Sequence, residues 1–213
     1  MTRYESARAD MVQRQLAARG VTDERVLSAM ARVPRELFVP ESSRGAAYVD
    51  GALPIGYGQT ISQPYMVALI CSLMRLEGEE RVLDVGTGSG YQAAVLAELA
   101  AEVVTIERVP HLAEGACRAL DEAGYGRVDV RVGDGSLGVP ERAPYDAIAV
   151  AAAAPDVPHA LYDELVLEGR LVVPRGSRWA QELVLVVRTE HGPVEKESVP
   201  CRFVPLVGAE GFS

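Results

Sequence analysis

Residues that build covalent or metal-bound frameworks are scarce in this sequence. Its 213 residues include three cysteines and three histidines. The cysteines, Cys71, Cys117 and Cys201, are odd in number and widely spaced, and no Cys-x-x-Cys pair or Cys/His cluster occurs. The sequence therefore predicts neither a disulfide framework nor a zinc site. Asparagine is absent and Lys196 is the sole lysine, so arginine carries nearly all of the positive charge.

Long hydrophobic runs are also missing. No apolar stretch reaches the roughly 18 residues that a membrane-spanning helix requires. The first residues, MTRYESARADMVQRQL, carry charges where a signal peptide needs an apolar segment. The net charge of −9 weighs against a nucleic-acid partner, because phosphate binding usually needs a basic face. We expect a cytoplasmic protein that works as a monomer, with no membrane or nucleic-acid partner.

The first part of the chain has a predominantly helical pattern. Residues 4–19 and 22–33 are amphipathic with helical spacing, and Thr22 is the expected cap of the second helix. Residues 53–62 contain two glycines and a proline, which predicts a loop with extended pieces. Residues 63–76 then predict a helix with a proline in its first turn, where proline is tolerated.

From residue 81 onward, short apolar runs alternate with helical patterns. This alternation predicts βαβ units and an α/β fold with a doubly wound, mostly parallel sheet. The strand candidates are residues 81–85, 102–107, 128–132, 146–150 and 170–174, and the helix candidates are 91–100, 110–124 and 158–167.

The last two apolar runs, at 182–188 and 200–207, have no helix between them. They predict an antiparallel strand pair that closes the sheet. We find no repeat, low-complexity tract or linker. We therefore interpret residues 1–213 as one domain, with a helical N-terminal addition over 1–78 and an α/β core over 79–213.

The most informative segment joins the first strand of the core to the helix after it. In VLDVGTGSGY the glycines Gly86, Gly88 and Gly90 alternate with small polar residues. This spacing differs from the Gly-x-Gly-x-x-Gly of dinucleotide sites, and the Gly-Lys-Ser/Thr of a P-loop is absent. Asp84, two residues before the first glycine, favours a cofactor with an amino-acid tail over one with a pyrophosphate. A tight strand-to-helix turn without a ligand is the alternative.

Acidic residues stand at the ends of the next two strands. Glu107 ends the second strand, where a carboxylate binds ribose hydroxyls in doubly wound folds, although a lone glutamate there is usually just solvated. Asp134 and Gly135 follow the third strand, where the Asp134 carboxylate can accept a hydrogen bond from an adenine amino group. Asp-Gly is also a common turn dipeptide. Because open α/β sheets bind ligands at the carboxyl ends of their strands, these residues and the glycines predict one shared site.

Over nearly its whole length the chain resembles the protein-L-isoaspartate O-methyltransferases. The glycine motif is shared by many methyltransferases, whereas GYGQTISQPYMVA and the terminal RFVPLVG are much more specific to this family. The resemblance implies the class I S-adenosylmethionine methyltransferase fold. It further implies methyl transfer from S-adenosylmethionine to the carboxylate of isoaspartyl residues in damaged proteins and peptides, which initiates their repair.

The resemblance also implies roles for individual residues. Ser62 would be the active-site hydroxyl, with Val204 beside it at the substrate. A structural alternative for Ser62 is a cap for the helix that follows. The implied cofactor-binding residues are Thr60, Asp84, Gly86, Gly88, Gly90, Glu107, Asp134 and Gly135. No metal is implied.

The match to the family has small departures. Glu168 replaces the first of two glycines that often precede Arg-Leu-Val, residues 174–179 are more positively charged than expected, and Val207 stands where some members carry a hydroxyl. Three other functions stay open: a small-molecule or RNA methyltransferase, a related enzyme that methylates aspartate in a ribosomal peptide, and a non-enzymatic binding module. The acidic charge weighs against RNA, and the intact cofactor motifs weigh against a mere binding module.

Overall fold

The N-terminal part of the chain is helical, as its pattern predicts. The computed structural model describes residues 2–213, apart from the side chains at positions 197 and 198. The helices of this part are α1 (Arg3–Asp10), continued by a π-helical turn over Met11–Leu16, α2 (Glu24–Arg32) and α3 (Pro64–Met74). The predicted cap at Thr22 is wrong, because the Asp23 carboxylate accepts the N–H groups of Arg25 and Val26 instead.

A short hairpin stands where the sequence predicts a loop with extended pieces. Its strands are β1 (Leu53–Gly56) and β2 (Gln59–Ile61), which pair antiparallel. The turn between them contains Tyr57 and Gly58, both with positive φ. The hairpin leads directly into α3, so the residues around Ser62 are fixed by a strand on one side and a helix on the other.

A seven-stranded sheet forms the centre of the core. Its strands are β3 (Arg81–Val85), β4 (Glu102–Glu107), β5 (Asp129–Val132), β6 (Tyr145–Val150), β7 (Leu165–Gly176), β8 (Gln181–Thr189) and β9 (Gly192–Cys201), in the spatial order β5-β4-β3-β6-β7-β8-β9. The first five strands are parallel and the last two antiparallel, which confirms the predicted fold class. The helices between strands are α4 (Tyr91–Ala97), α5 (Pro110–Glu122) and α6 (His159–Asp163).

Two predicted elements of the C-terminal half have the wrong bounds. The predicted strand at 200–207 is instead β9, over Gly192–Cys201. This strand lies at the edge of the sheet and carries charges and prolines, which conceal its strand pattern as edge strands commonly do. The predicted helix at 158–167 is only the short α6, because β7 already begins at Leu165.

Both faces of the sheet are covered by hydrophobic packing. Val82 belongs to a buried cluster that also contains Met11 of the N-terminal segment and Leu96 of α4. The next residue, Leu83, belongs to a second cluster with Leu161 of α6. Because successive strand residues point to opposite faces, β3 is buried on both sides, as a central parallel strand should be. The first cluster contains residues of both the N-terminal part and the core, and the single domain stays a prediction. Within residues 2–213, no helix has the length and apolar content needed to cross a membrane.

Candidate active site

The glycine loop follows the central strand β3 and turns back over the end of β4. The N–H groups of Gly86 and Thr87 donate to the Ile106 carbonyl at 2.9 and 3.3 Å. Gly90, with φ of 89°, has the left-handed conformation that glycine adopts most easily. A Cβ at Gly90 would also lie 3.2 Å from Leu120 Cγ in α5. The loop is thus held tightly between the sheet and α5.

This loop forms one wall of a cavity, which we call the cofactor cavity. Other walls come from the strand ends, the β1–β2 hairpin and the C-terminal segment. Its lining includes Thr60, Ser62, Gly86, Thr87, Gly88, Gln92, Glu107, Gly135 and Val204. The structure therefore brings together seven of the predicted site residues, from five separate parts of the chain.

Glu107 connects the glycine loop to the segment after β4. Its carboxylate accepts the N–H of Gly88 at 2.8 Å and the N–H of Val109 at 2.9 Å, one bond on each oxygen. The side chain is mostly buried, with 7% exposure. A carboxylate oxygen can accept more than one hydrogen bond, so each oxygen retains capacity for a ligand hydroxyl. This geometry is compatible with the predicted ribose role.

Asp84 lies behind the cavity and not in its lining. It is fully buried and accepts hydrogen bonds from Gln92 Nε2 at 2.8 Å and from Thr105 Oγ1 at 2.9 Å. Burial raises the pKa of Asp84 to about 6, although both hydrogen bonds act in the opposite direction. This arrangement does not favour direct contact between Asp84 and a ligand. The carboxylate instead orients Gln92, which does line the cavity.

Gln92 is a site residue that the sequence analysis missed. Because the Asp84 carboxylate accepts from its amide nitrogen, the amide oxygen Oε1 faces elsewhere. That oxygen is buried and has no hydrogen-bond partner among the described residues. Its position in the first turn of the helix after the glycine loop is the sequence feature that could have identified it. Gln92 thus offers an unpaired acceptor at the cofactor cavity.

Asp134 and Gly135 follow β5, and only Gly135 lines the cavity. The Asp134 carboxylate accepts the Ser136 N–H and hydroxyl on one oxygen and the Ala209 N–H, at 2.7 Å, on the other. Burial tends to raise the pKa of Asp134, but these bonds together lower it below its ordinary value. Asp134 therefore anchors the C-terminal segment beside the cavity, and its adenine role stays a prediction.

Ser62 lies where the cofactor cavity meets a second one. The second cavity, which we call the substrate groove, has a volume of about 810 Å³ and shares Thr60, Ser62 and Val204 with the first. Val204 is held there by its carbonyl, which accepts the Ala153 N–H at 2.8 Å. The groove is within the size range of ligand sites in proteins.

The Ser62 hydroxyl does not cap α3. The cap position of that helix is Gln63, and no side-chain capping hydrogen bond is present there. The Ser62 hydroxyl has no hydrogen bond with any described residue, and the side chain is partly exposed. The structural alternative for Ser62 is therefore wrong, and its hydroxyl is available to a ligand.

A buried arginine holds the main chain at this position. Arg35 Nη2 donates to the Ser62 carbonyl at 2.8 Å, and Arg35 Nε donates to the Ala47 carbonyl at 2.7 Å. The guanidinium also lies 4.6 Å from the ring centroid of Tyr91, the first residue of α4. Arg35 is completely buried, and burial lowers its pKa. It thus links the chain at Ser62 to the helix that follows the glycine loop.

The fold and the site together define a class of protein. A doubly wound sheet, a glycine loop after the central strand and a carboxylate at the end of its neighbour are the features of class I methyltransferases. A solved protein-L-isoaspartate O-methyltransferase superposes on the chain with a TM-score of 0.85 at 31% identity, covering 96% of this chain and 67% of that one. A Plasmodium falciparum protein, solved in complex with S-adenosyl-L-homocysteine, shares the fold with a TM-score of 0.82 at 24% identity, covering 97% of this chain and 99% of that one.

Sequence comparisons identify the family within this class. The model of the protein-L-isoaspartate(D-aspartate) O-methyltransferase family matches residues 6–211. Protein-L-isoaspartate O-methyltransferase 2 of Geotalea uraniireducens is 51% identical, with 100% of this chain and 99% of the relative covered. The protein of the same name from Marinobacter nauticus is 55% identical, with 96% and 94% covered. The chain therefore belongs to the protein-L-isoaspartate O-methyltransferase family, which confirms the resemblance.

Proposed function

We propose that the chain transfers a methyl group from S-adenosylmethionine to the carboxylate of L-isoaspartyl residues in proteins and peptides, the first step of their repair. The observation that carries this proposal is the free hydroxyl of Ser62, which lies between the cofactor cavity and the substrate groove of about 810 Å³. Membership of the family supports it. So does the S-adenosyl-L-homocysteine bound to the Plasmodium falciparum relative.

The residues of the cofactor cavity fit S-adenosylmethionine. Glu107 has acceptor capacity for ribose hydroxyls, and the unpaired Gln92 Oε1 complements an ammonium group. At Gly135, a Cβ would lie 2.7 Å from Val85 Cγ1, so glycine lets the main chain pack this closely against the end of β3. In this proposal Glu107 binds the ribose and Asp134 with Gly135 the adenine. Thr60, Asp84, Gly86, Gly88 and Gly90 serve the methionine part, Asp84 through Gln92.

The reaction demands orientation more than proton transfer. When bound, S-adenosylmethionine supplies a methyl group that is already activated by the sulfonium. An isoaspartyl carboxyl group has a pKa of about 4 and is ionised at neutral pH, so no general base is needed. Consistent with this, no histidine or cysteine is among the described residues that line the cofactor cavity. Ser62 donates a hydrogen bond to one carboxylate oxygen and aims the other at the methyl group, and Val204 contacts the substrate beside it.

The product ester completes its chemistry without the enzyme. The following main-chain nitrogen attacks the ester carbonyl, methanol leaves, and a succinimide forms. Water then opens the succinimide to aspartate or isoaspartate. Repeated cycles convert isoaspartate to normal aspartate.

We also propose that the protein works as a monomer in the cytoplasm, with no nucleic-acid partner. Its three cysteines are free thiols, which are typical of a reducing compartment. The net charge of −9 disfavours nucleic acid. Light scattering on the purified protein should give the mass of one chain, and a dimer mass would contradict the proposal.

A labelled methyl group tests the proposed reaction. The purified protein is incubated with methyl-labelled S-adenosylmethionine and an isoaspartyl peptide, and the product is treated with mild base. We expect the label to be released as methanol, because a carboxyl methyl ester hydrolyses under these conditions. Label that stays on the peptide after base, or none transferred at all, would contradict carboxyl methylation.

A further inference from the structure

The substrate groove is lined by arginines although the protein as a whole is acidic. The chain has 30 acidic and 21 basic residues. Three arginines, Arg19, Arg178 and Arg202, nevertheless line the groove, and no aspartate or glutamate is among its described lining residues. The charged side chains among the described lining residues are therefore all basic, although the molecule as a whole is acidic.

The three arginines differ in how far their charge is compensated. Arg19 forms an ion pair with Asp50 at 3.1 Å, so its charge is largely balanced. Arg178 donates to the main-chain oxygen of Ser213 at 3.1 Å, and no described side-chain carboxylate pairs with it. Arg202 is exposed and has no hydrogen bond or ion pair with the described part of the chain. Two guanidinium groups thus remain without a side-chain counter-ion at the groove.

An exposed aromatic residue stands next to one of these arginines. Trp179, at the turn between β7 and β8, is 88% exposed. Its neighbour Arg178 lines the groove. Tryptophan and arginine are among the side chains most enriched at the energetic centres of protein–protein interfaces. This corner of the groove therefore has the composition of a surface that binds another polypeptide.

We propose that the groove selects isoaspartyl segments whose neighbouring residues are acidic, through Arg178 and Arg202. The inference rests on the proposed function and specifies its substrate class. A guanidinium that lacks a side-chain counter-ion can bind a carboxylate with charge-assisted hydrogen bonds, and it also attracts an acidic segment before contact. Ser62 then receives the isoaspartyl carboxylate itself, while carboxylates on the flanking residues bind the arginines.

Matched peptides test this preference. Three isoaspartyl peptides are compared that differ only in their flanking residues, which are glutamate, glutamine or lysine. We expect KM to rise from the glutamate to the glutamine to the lysine peptide, by about fivefold per step, the upper range for one exposed ion pair. The differences should shrink in about 1 M salt, where the Debye length is about 3 Å.

Charge reversal identifies the residues responsible. In Arg202→Glu and in Arg178→Glu, the ratio of KM between the lysine and glutamate peptides should fall towards one or invert. Arg118→Glu, an exposed substitution on α5 outside the groove, changes the net charge equally and should leave the ratio as in the parent protein. A fall in activity that is equal for all three peptides in the Arg202 and Arg178 variants would overturn the proposal, since it would indicate a general binding role.

Measurements on the parent protein distinguish a failure of the acidic preference from a failure of the proposed function. Turnover of all three peptides with equal KM would overturn the acidic preference and leave the proposed function intact. Transfer to none of the three peptides, with S-adenosyl-L-homocysteine still bound in calorimetry, would overturn the proposed function and the preference together.

Discussion

Replacing Ser62 by alanine separates a catalytic from a structural contribution at the junction of the two cavities. The substitution removes a hydroxyl that has no hydrogen bond within the described structure, from a position that does not cap α3. Folding stability should therefore change by no more than about 0.5 kcal/mol, as for ordinary partly exposed sites. A hydrogen bond to a charged substrate group is worth about 1.5–3 kcal/mol. If that bond acts in the transition state, kcat should fall by about 10- to 150-fold.

The assay measures urea unfolding, kcat and S-adenosyl-L-homocysteine affinity on one preparation of the variant. Cofactor affinity should stay close to that of the parent protein, since a carboxylate of the substrate is the group that Ser62 contacts. Ser42→Ala, an exposed serine of the N-terminal part, is the matched control and should alter none of the three quantities. A loss of about 1 kcal/mol in stability with full kcat would refute the reasoning and give Ser62 a structural role.

Three other substitutions test separate parts of the structure. Glu107→Ala should weaken binding of S-adenosyl-L-homocysteine by about 1–3 kcal/mol in titration calorimetry, and unchanged affinity would remove Glu107 from the ribose role. Asp84→Asn tests the raised pKa of Asp84, which is about 6 in the folded protein and therefore lies above the value in the unfolded chain. Protonation of Asp84 thus stabilises the folded protein fully below about pH 4, and this stabilisation is lost as the pH rises through 6. The free energy of unfolding is measured for both proteins in urea at about pH 5 and pH 7.5. Between these two pH values the variant should become more stable relative to the parent by about 1.4 kcal/mol, and a pH-independent difference would contradict this. Glu168→Gly should stabilise the protein by about 0.5–1 kcal/mol, because Glu168 has φ of 62°, and a destabilised variant would show that its side chain makes a compensating contact.

Buried strands and short motifs were predictable from the sequence because burial and tight turns each restrict the residue types over a few consecutive positions. The strands at 81–85 and 102–107 have the predicted bounds, since a parallel strand buried on both faces consists of one apolar run. The glycine spacing likewise predicted a strand-to-helix loop at the ligand edge. Family resemblance added Ser62, which no local pattern distinguishes from other serines.

Residues whose roles depend on distant contacts could not be predicted. Arg35 precedes Ser62 by 27 positions, and only the folded chain shows that it holds the Ser62 carbonyl. Gln92 depends on Asp84, whose carboxylate was expected to face a ligand and instead faces two side chains. The edge strand β9 was misplaced because its charged, exposed residues lack the alternation of a half-buried strand.

Discrimination between two isomeric peptides tests the central claim most directly. The peptides have the same composition and differ only in whether the main chain passes through the side-chain or the α-carboxyl group of one aspartate. Methyl transfer from labelled S-adenosylmethionine is measured for both, with a third peptide that lacks the residue as the blank. Because orientation at Ser62 is the proposed source of selectivity, kcat/KM should be at least about 100-fold higher for the isoaspartyl peptide. Equal kcat/KM for the two isomers would contradict the proposed function.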